Sequence, residues 1–556
     1  MRLAKELDIS PLTAAVLIQR GYESLADARR FLNPSLKDLT SPEELLQLDQ
    51  AVDRIISAMT TKEGIGIYGD YDADGITATA LVVNFFNELG FPASYYLPHR
   101  LRHGYGIHCE IIDSMAADGV NLVISVDCGI TSNQEIAYAS EKGIDFIVTD
   151  HHQAVGELPP AAGVVNPQQP GSGEHFRELS GVGVAFFLLL GLRRRLREEG
   201  WFHERPEPDL KTYLPLVALG TVADVSPLIA DNRILVSFGL RELALSNQTG
   251  LMGLKDAVGL KKNKIRVWNL AFQIVPRINA AGRLGEASRA VRLLITRDPK
   301  EASRLINILE SENSRRKVVE AKIMRQAEAM LAGSDALEEE KGILLAGEGW
   351  HTGVIGIVAG RLASNWSRPV IVIAIENGIG QASARSIPGF NIFSCFQAGA
   401  EYLISFGGHP AAAGLRIRER DIPAFSRFFE SYSEKVMALN DLRETLRIDV
   451  VAHVDDLSLG QAAELSQLEP FGHGNREPVL AISDVEVVSA DIVGKGHLKL
   501  SGRKDGRTLS LWGFGMGEYL PLLTNRVDLA FHMRVSNYYD VPTLELRMRD
   551  IKPSSQ

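Results

Sequence analysis

From about residue 60 to 230 the chain alternates short apolar runs with helical stretches. Ile65-Gly-Ile-Tyr-Gly69, Leu122-Val-Ile-Ser-Val126 and Ile144-Asp-Phe-Ile-Val-Thr149 each read as a buried strand closed by a polar turn. That rhythm predicts the βαβ units of a parallel sheet. Between about 286 and 335 the period becomes helical: Leu305, Ile308, Leu309, Val319, Ile323, Ala327 and Met330 fall mostly on one face, with Arg315, Arg316 and Lys317 exposed. One long connecting helix is expected there. Strand-like runs return from Gly342 to about 435, in Ile343-Leu-Leu-Ala346 and Val370-Ile-Val-Ile-Ala374, and with two Gly-rich turns they predict a second α/β domain. Beyond about 445 the runs Val485-Glu-Val-Val488, His497-Leu-Lys-Leu500 and Thr543-Leu-Glu-Leu-Arg-Met548 predict a small β-barrel. The expected organisation is a helical extension at 1–58, an α/β domain at 59–285, a connecting helix at 286–335, a second α/β domain at 336–440 and a barrel at 441–556.

Composition narrows the class. A chain of 556 residues, 45% hydrophobic and 23% charged, has ample core for several domains. Its longest apolar stretch, Val182 to Leu192, is short of the ~18 residues of a membrane span, and MRLAKELDIS carries no apolar signal region. The three cysteines, Cys109, Cys128 and Cys395, are widely spaced, so neither a disulfide framework nor a zinc ribbon is expected. These features predict a cytoplasmic protein without a membrane partner. With 59 Lys plus Arg against 69 Asp plus Glu, the net charge of −10 argues against a polyanion held over the whole surface. A basic channel beside carboxylates that hold cations is compatible with it.

The sharpest chemistry is Gly69-Asp70-Tyr71-Asp72-Ala73-Asp74-Gly75, three carboxylates between an apolar strand and the helical Ile76-Thr-Ala-Thr-Ala-Leu81. Open α/β sheets place ligands at such strand ends, and like charges this close are costly unless cations neutralise them. The bland reading is an acidic turn with an aspartate N-cap. The pattern then repeats, in Val126-Asp127-Cys128-Gly129 and in Thr149-Asp150-His151-His152. Oxygen ligands with one imidazole suit Mn²⁺ or Mg²⁺ better than zinc. Neighbouring residues on a regular strand face opposite ways, so His151 reads as a ligand and His152 as a supporting or phosphate-contacting group. In Leu219-Gly-Thr-Val-Ala-Asp-Val-Ser-Pro-Leu228, Asp224 reads equally as a ligand or as another N-cap.

DYDADG, VDCG, TDHH and GTVADVSPL, in this order and at these intervals, resemble the four motifs of the DHH phosphoesterase superfamily. Asp70, where many members have His, resembles the bacterial RecJ branch of single-strand-specific 5′-to-3′ DNA exonucleases. The resemblance implies two divalent cations, Mn²⁺ or Mg²⁺, held by Asp70, Asp72, Asp74, Asp127, His151 and Asp224, with His152 joining the catalytic set. Phe406-Gly-Gly-His-Pro-Ala-Ala-Ala-Gly414 is similar to the signature of the companion DHHA1 domain, and Gly407, Gly408 and His409 are expected to meet phosphate, with a following helix aiming its amides at the anion. Ser383 and Arg385, in Gln381-Ala-Ser-Ala-Arg-Ser386, resemble residues that grip a 5′-terminal phosphate. Arg277, Asn279 and Arg283, in Pro276-Arg-Ile-Asn-Ala-Ala-Gly-Arg283, and Arg100 read either as channel residues or as turn and surface groups.

The last strands, with Pro470-Phe-Gly-His-Gly-Asn-Arg-Glu-Pro478 before them, resemble an OB-like domain, where Trp512, Phe514, Tyr538 and Tyr539 would stack on bases or sit in the core. The resemblance implies release of mononucleotides from single-stranded DNA in repair and recombination, with a single-strand-binding protein and a helicase as partners. Two other readings stand beside it. One is an enzyme of smaller substrates, although such relatives are generally shorter and lack the barrel. The other is a non-catalytic scaffold, although such relatives lose metal ligands.

Overall fold

A computed structural model describes residues 2–154, 156–260, 265–332, 340–437, 445–536 and 541–554. The first sheet is parallel, in the order β2-β1-β3-β4-β5, from strands β1 (Gly64–Gly69), β2 (Ser94–Tyr96), β3 (Val120–Val126), β4 (Asp145–Thr149) and β5 (Gly163–Val165). Its register matters most for chemistry. Gly69 pairs with Val126 and Val126 with Thr149, so the next residues, Asp70, Asp127 and Asp150, leave the sheet level with one another along one edge. Helices Leu48–Thr61, Ala73–Glu88, Gly181–Glu198 and Leu214–Ala223 form the main core with that sheet. The Val182 to Leu192 run lies in one of them, buried but for Leu190 and Gly191. Helices Cys109–Ala117 and Asn133–Glu141 cover the other face. Among the described residues no helix is long and apolar enough to cross a membrane.

A second sheet has the order β6-β7-β8-β10-β9, from β6 (Ile343–Glu348), β7 (Val370–Glu376), β8 (Ile379–Arg385), β9 (Leu403–Gly408) and β10 (Ala412–Arg418). The third has the order β11-β12-β13-β14-β16-β15, from β11 (Val450–Val451), β12 (Leu480–Val493), β13 (His497–Lys504), β14 (Arg507–Gly513), β15 (Arg526–Ser536) and β16 (Thr543–Pro553). Pairing of β12 with β15 closes it into a barrel.

The structure departs from the sequence reading in four places. The segment 286–335 holds two helices, Ser288–Ile295 and Pro299–Ala332. The break falls where Thr296 accepts from the Asp298 amide and Pro299, with no N–H to lose, starts the second helix. Met330 is exposed, whereas Arg316 lies against Asn313 and Glu320 (2.6 Å) with its side chain largely buried. The first 58 residues are not one unit: Leu12, Val16, Leu17 and Phe31 share a core with Leu480 and Phe531 of the barrel, while Leu48, Val52 and Ile55 pack on the first sheet. Finally, Phe406 to Gly414 is a hairpin, not a turn before a helix; the His409 amide donates to the Ala412 carbonyl (2.8 Å), and Ala413, Leu415 and Ile417 alternate inward along β10. The boundaries at 335/336 and 440/441 lie in segments outside the described residues, as do Tyr538 and Tyr539.

Candidate metal centre and the arginine seam

The three carboxylates after β1 are built into the start of the Ala73–Glu88 helix. Asp72 Oδ1 accepts from the amides of Asp74 (2.9 Å) and Gly75 (3.2 Å), an N-cap that leaves Oδ2 outside this cap. The capping and ligand readings of the acidic turn therefore hold together. Asp74 points across to the start of the Gly181–Glu198 helix and accepts from Gly181 (2.7 Å) and Val182 (3.0 Å). Asp127 stands in the left-handed region at φ 63°, its amide tied to the Thr149 carbonyl at 2.9 Å. A Cβ on Gly181 would fall 2.5 Å from Asp127 Oδ1, and one on Gly220 would fall 2.5 Å from Asp74 Oδ1, so these two glycines make room for the carboxylates.

His151 and His152 both turn to this edge, because the chain has already left β4 before reaching them and strand alternation no longer separates their rings. The rings lie 4.4 Å apart. His151 Nε2 is 3.3 Å from Asp127 Oδ1, and its Nδ1 is 4.0 Å from Asp224 Oδ2. Asp224 is the C-cap of the Leu214–Ala223 helix rather than an N-cap. Three overlapping groups each bring their ligand atoms within 4.8 Å: Asp70, Asp72 and Asp127; Asp74, His151 and Asp224; and Asp127, His151 and His152. Asp70 Oδ1, Asp127 Oδ1 and His151 Nε2 are buried with no hydrogen-bond partner. Orphaned oxygens facing an imidazole nitrogen are what a bound cation satisfies, so the donor set fits Mn²⁺ or Mg²⁺.

Sequence reasoning assigns Asp150 no role of its own, although it lies inside the TDHH segment, and the fold places it directly against His152. Fully buried, it accepts from the amides of Ile130, His151 and His152 and bonds His152 Nδ1 at 2.7 Å. Burial works against this carboxylate, yet the hydrogen bond and charge of His152 hold it below the usual range. Burial likewise pulls the His152 ring down, but Asp150 outweighs it and pushes His152 up to about 9, so it carries charge at neutral pH. The Tyr105 hydroxyl lies 3.1 Å from His152 Nδ1, and the His409 ring stacks 6.0 Å away at 16°. Gly408, at φ 135°, has no space for a Cβ, which would fall 2.5 Å from Ala413, whereas Gly407 has open space around it.

Burial first, and neighbouring carboxylates second, push Asp70, Asp74 and Asp127 well above the usual carboxylate range. These groups favour the folded state when protonated. Their contribution is complete below the ordinary carboxylate pKa near ~3.9 and is lost as pH rises through the raised values. Asp150 has the opposite sign and loses its contribution only at the acid end. His152, pushed up to about 9, has the same sign as the raised carboxylates between its ordinary value near ~6.5 and 9, so thermal unfolding in EDTA is expected at lower temperature at pH 8 than at pH 6, with Mn²⁺ restoring most at the higher pH; a flat profile in EDTA contradicts the clustering.

A second charged group faces this edge from the junction with the second sheet. Arg283 donates to the Gly353 carbonyl (3.0 Å), at the start of the Thr352–Trp366 helix. On β8, Arg385 donates to Ser383 Oγ (3.3 Å), and a Cβ on Gly356 of that helix would fall 2.8 Å from the same oxygen. Burial, then Arg100 and Arg385, lowers Arg283 to about 9; burial, then Arg100, lowers Arg385. Arg100 lies over the Tyr71 ring at 4.9 Å. Arginines that depress one another beside a helix N-terminus form a ready anion site. Asn279 Oδ1 accepts from the Ala73 amide (2.9 Å) and so braces the carboxylate turn. Arg277 is not brought to the edge: it bonds the Gln273 carbonyl (2.6 Å) and pairs with Glu310 of the Pro299–Ala332 helix, where the acid cancels its charge.

Residues 64–221 match the DHH family, N-terminal domain, residues 339–435 the DHHA1 domain and residues 448–550 the RecJ OB domain. The single-stranded-DNA-specific exonuclease RecJ of Bacillus subtilis (strain 168) is 34% identical over 554 residues, which is 99% of this chain and 69% of that protein. RecJ from Thermus thermophilus in complex with Mn²⁺ is similar over 100% of this chain and 78% of its own, with a TM-score of 0.84 at 32% identity. The same protein in complex with Mg²⁺ gives a TM-score of 0.77 at 29% identity, covering 100% of this chain and 76% of that one.

Proposed function

The chain belongs to the RecJ family of single-stranded-DNA-specific exonucleases, and on that premise we propose that it hydrolyses single-stranded DNA from the 5′ end, releasing mononucleotides. The observation that carries this reading is the pairing of a cation-ready cluster with a separate buried arginine seam beside it. We assign Asp70, Asp72, Asp74, Asp127, His151 and Asp224 to two divalent ions, Mn²⁺ or Mg²⁺. When bound, such ions supply an activated water and neutralise charge on the attacked phosphoryl group.

The chain's own residues do the rest. His152, held charged by Asp150, faces the phosphate beside the cluster and steadies the charge that develops on it. Arg100, Arg283, Arg385 and Ser383 hold the terminal 5′ phosphate in the seam, with His409 and the Gly407–Gly408 turn on the second-sheet side. With the terminal phosphate in the seam and the next phosphodiester at the cluster, each cut removes one nucleotide. Catalysis thus belongs to residues 59–285 and end recognition to 336–440, joined by 286–335.

In the barrel, Phe514 is 45% exposed and stacks on Trp512 at 6.4 Å, with Lys499 over Trp512 and Arg547 over Phe514 at 5.3 and 4.6 Å. We read this as the aromatic and cationic surface that follows the departing strand. A cytoplasmic role in DNA repair and recombination follows, with a helicase supplying single strands and a single-strand-binding protein coating them. The discriminating experiment compares a single strand with the same sequence in duplex, each with Mn²⁺ and with EDTA. Mn²⁺-dependent loss of the single strand alone is the expected result. Equal digestion of both, or digestion in EDTA, contradicts the proposal.

A further inference from the structure

The helix Leu214–Ala223 ends on Asp224, and its ending uses an unfavourable residue. The Val225 amide donates to the Val222 carbonyl (3.3 Å) and the Ser226 amide to the Thr221 carbonyl (3.2 Å). That pair of bonds closes a helix through a left-handed residue, here Val225, where glycine is the usual choice. Val225 stands at φ 62°, a region that β-branched side chains rarely occupy. It is also 61% exposed, so burial of its side chain does little to offset the strain. Another part of the molecule must hold this segment in place.

The next residues show which part. The Leu228 amide donates to the His473 carbonyl (2.8 Å). A Cβ on Gly474 would fall 2.8 Å from Pro227 Cβ, and one on Gly472 would fall 2.6 Å from Leu228. Gly472 and Asn475 pair through their backbones (2.9 and 3.2 Å) in a tight turn with His473 and Gly474 at its tip. This turn lies in the Pro470 to Pro478 segment ahead of the barrel, to which the proposed reaction gives no task. Its base is fixed. Buried Asn475 donates to the carbonyls of Leu468 (2.9 Å) and Pro470 (2.8 Å) and accepts from Arg20 of the N-terminal extension (2.6 Å). Arg233, buried on the helix Ala230–Leu245, donates to the carbonyls of Leu468 (3.0 Å) and Glu469 (2.8 Å).

Only Val225 and Ser226 separate Asp224 from Pro227, and the buried Ser226 hydroxyl donates to Asp224 Oδ2. That oxygen is the one 4.0 Å from His151 Nδ1. A shift of Pro227 and Leu228 therefore reaches the carboxylate directly.

We propose that the turn Gly472–Asn475 is a positioning element of the cation centre: seated on Pro227 and Leu228, it keeps Val225 left-handed and so holds Asp224 beside His151. The proposal rests on the assignment of Asp224 to a divalent ion. Strain at Val225 makes the arrangement conditional, because without the turn the segment gains by leaving the left-handed region. The centre's affinity for its ions thus depends on the docking of the segment that leads into the barrel.

The test compares the full-length parent with G474A, V225G and the double variant. Gly474 is exposed at φ 70°, so its substitution disturbs the turn and Pro227 without opening a core. Mn²⁺ binding without DNA is read from the spin resonance of the free ion. Strand binding is read by anisotropy in EDTA, and thermal unfolding also in EDTA. G474A is expected to bind Mn²⁺ about tenfold weaker, the factor by which a left-handed L-residue is disfavoured. It needs correspondingly more Mn²⁺ for half-maximal hydrolysis, reaches close to the parent's kcat at saturation, and binds the strand in EDTA as the parent does. V225G unfolds at the parent's temperature or above it. The double variant recovers the parent's Mn²⁺ affinity, since glycine occupies the left-handed region unaided; a mere loss of packing in G474A would not be repaired this way.

Unchanged Mn²⁺ affinity in G474A overturns the proposal, as does a weakening that V225G fails to repair or a lower unfolding temperature of V225G itself. Weaker strand binding at unchanged Mn²⁺ affinity would give the turn to the strand instead. If the parent binds no Mn²⁺, the cation assignment fails; if the parent binds it and G474A matches the parent, only the positioning role fails.

Discussion

Replacing Asp127 by alanine is expected to abolish hydrolysis, with a loss of ~10³-fold or more, while single-strand binding in EDTA stays close to that of the parent. Asp127 belongs to two of the three ligand groups, and its unpartnered Oδ1 lies 3.3 Å from His151 Nε2. On the proposed assignment, removing it takes away a donor shared by two of these groups. Metal stabilisation of a phosphoryl transition state amounts to several kcal/mol, and each ~1.36 kcal/mol is tenfold in rate. Asp127 lies away from the arginine seam, so grip on the strand survives. The fold also survives: Asp127 is buried and held above the usual carboxylate range by burial and by the charges of Asp74, Asp72 and Asp70, so its removal relieves repulsion in the cation-free protein. Steady-state digestion and anisotropy, with thermal unfolding as control, read all three. Full activity in D127A would remove the assigned centre.

The second large effect is on end recognition. Arg385→Ala is expected to lower kcat/KM on a 5′-phosphorylated strand by about 10- to 100-fold, and on a 5′-hydroxyl strand far less. A hydrogen bond to a charged group is worth ~1.5–3 kcal/mol, which sets that range. Arg385 is buried in the seam with Ser383, and its charge is already opposed by Arg100, so an arriving phosphate relieves repulsion as well as gaining a partner. Arg385→Lys retains charge but loses the planar fork and is expected to recover only part of the preference. Competition between the two end chemistries in one reaction reads the ratio directly. An unchanged ratio would place the terminal phosphate elsewhere.

Much of the metal centre was legible because it is local. DYDADG, VDCG and TDHH each follow a strand, and parallel register brings the ends of neighbouring strands level, so strand order alone assembles Asp70, Asp127 and His151. What stayed hidden depends on partners far away in sequence. Arg277 and Arg283 are six residues apart in one motif, yet one meets Glu310 and the other Gly353, and nothing in the motif distinguishes them. Asp150 looked like part of a histidine motif; its role appears only when Ile130 and His152 converge on it. The small residues after Gly408 suit a helix or a close-packed strand, and pairing with β8 and β9 decides for the strand. The partition of the N-terminal helices between two cores has no local signal, since both sets offer apolar side chains for burial.

The most direct test of the whole account is a Mn²⁺ digestion of one oligonucleotide labelled at the 5′ end or at the 3′ end, stopped early and resolved by length. The account predicts labelled mononucleotide as the first product from the 5′ label, and from the 3′ label a ladder that shortens one nucleotide at a time, with nothing in EDTA. Mononucleotide appearing first from the 3′ label, or internal fragments from both, would contradict it.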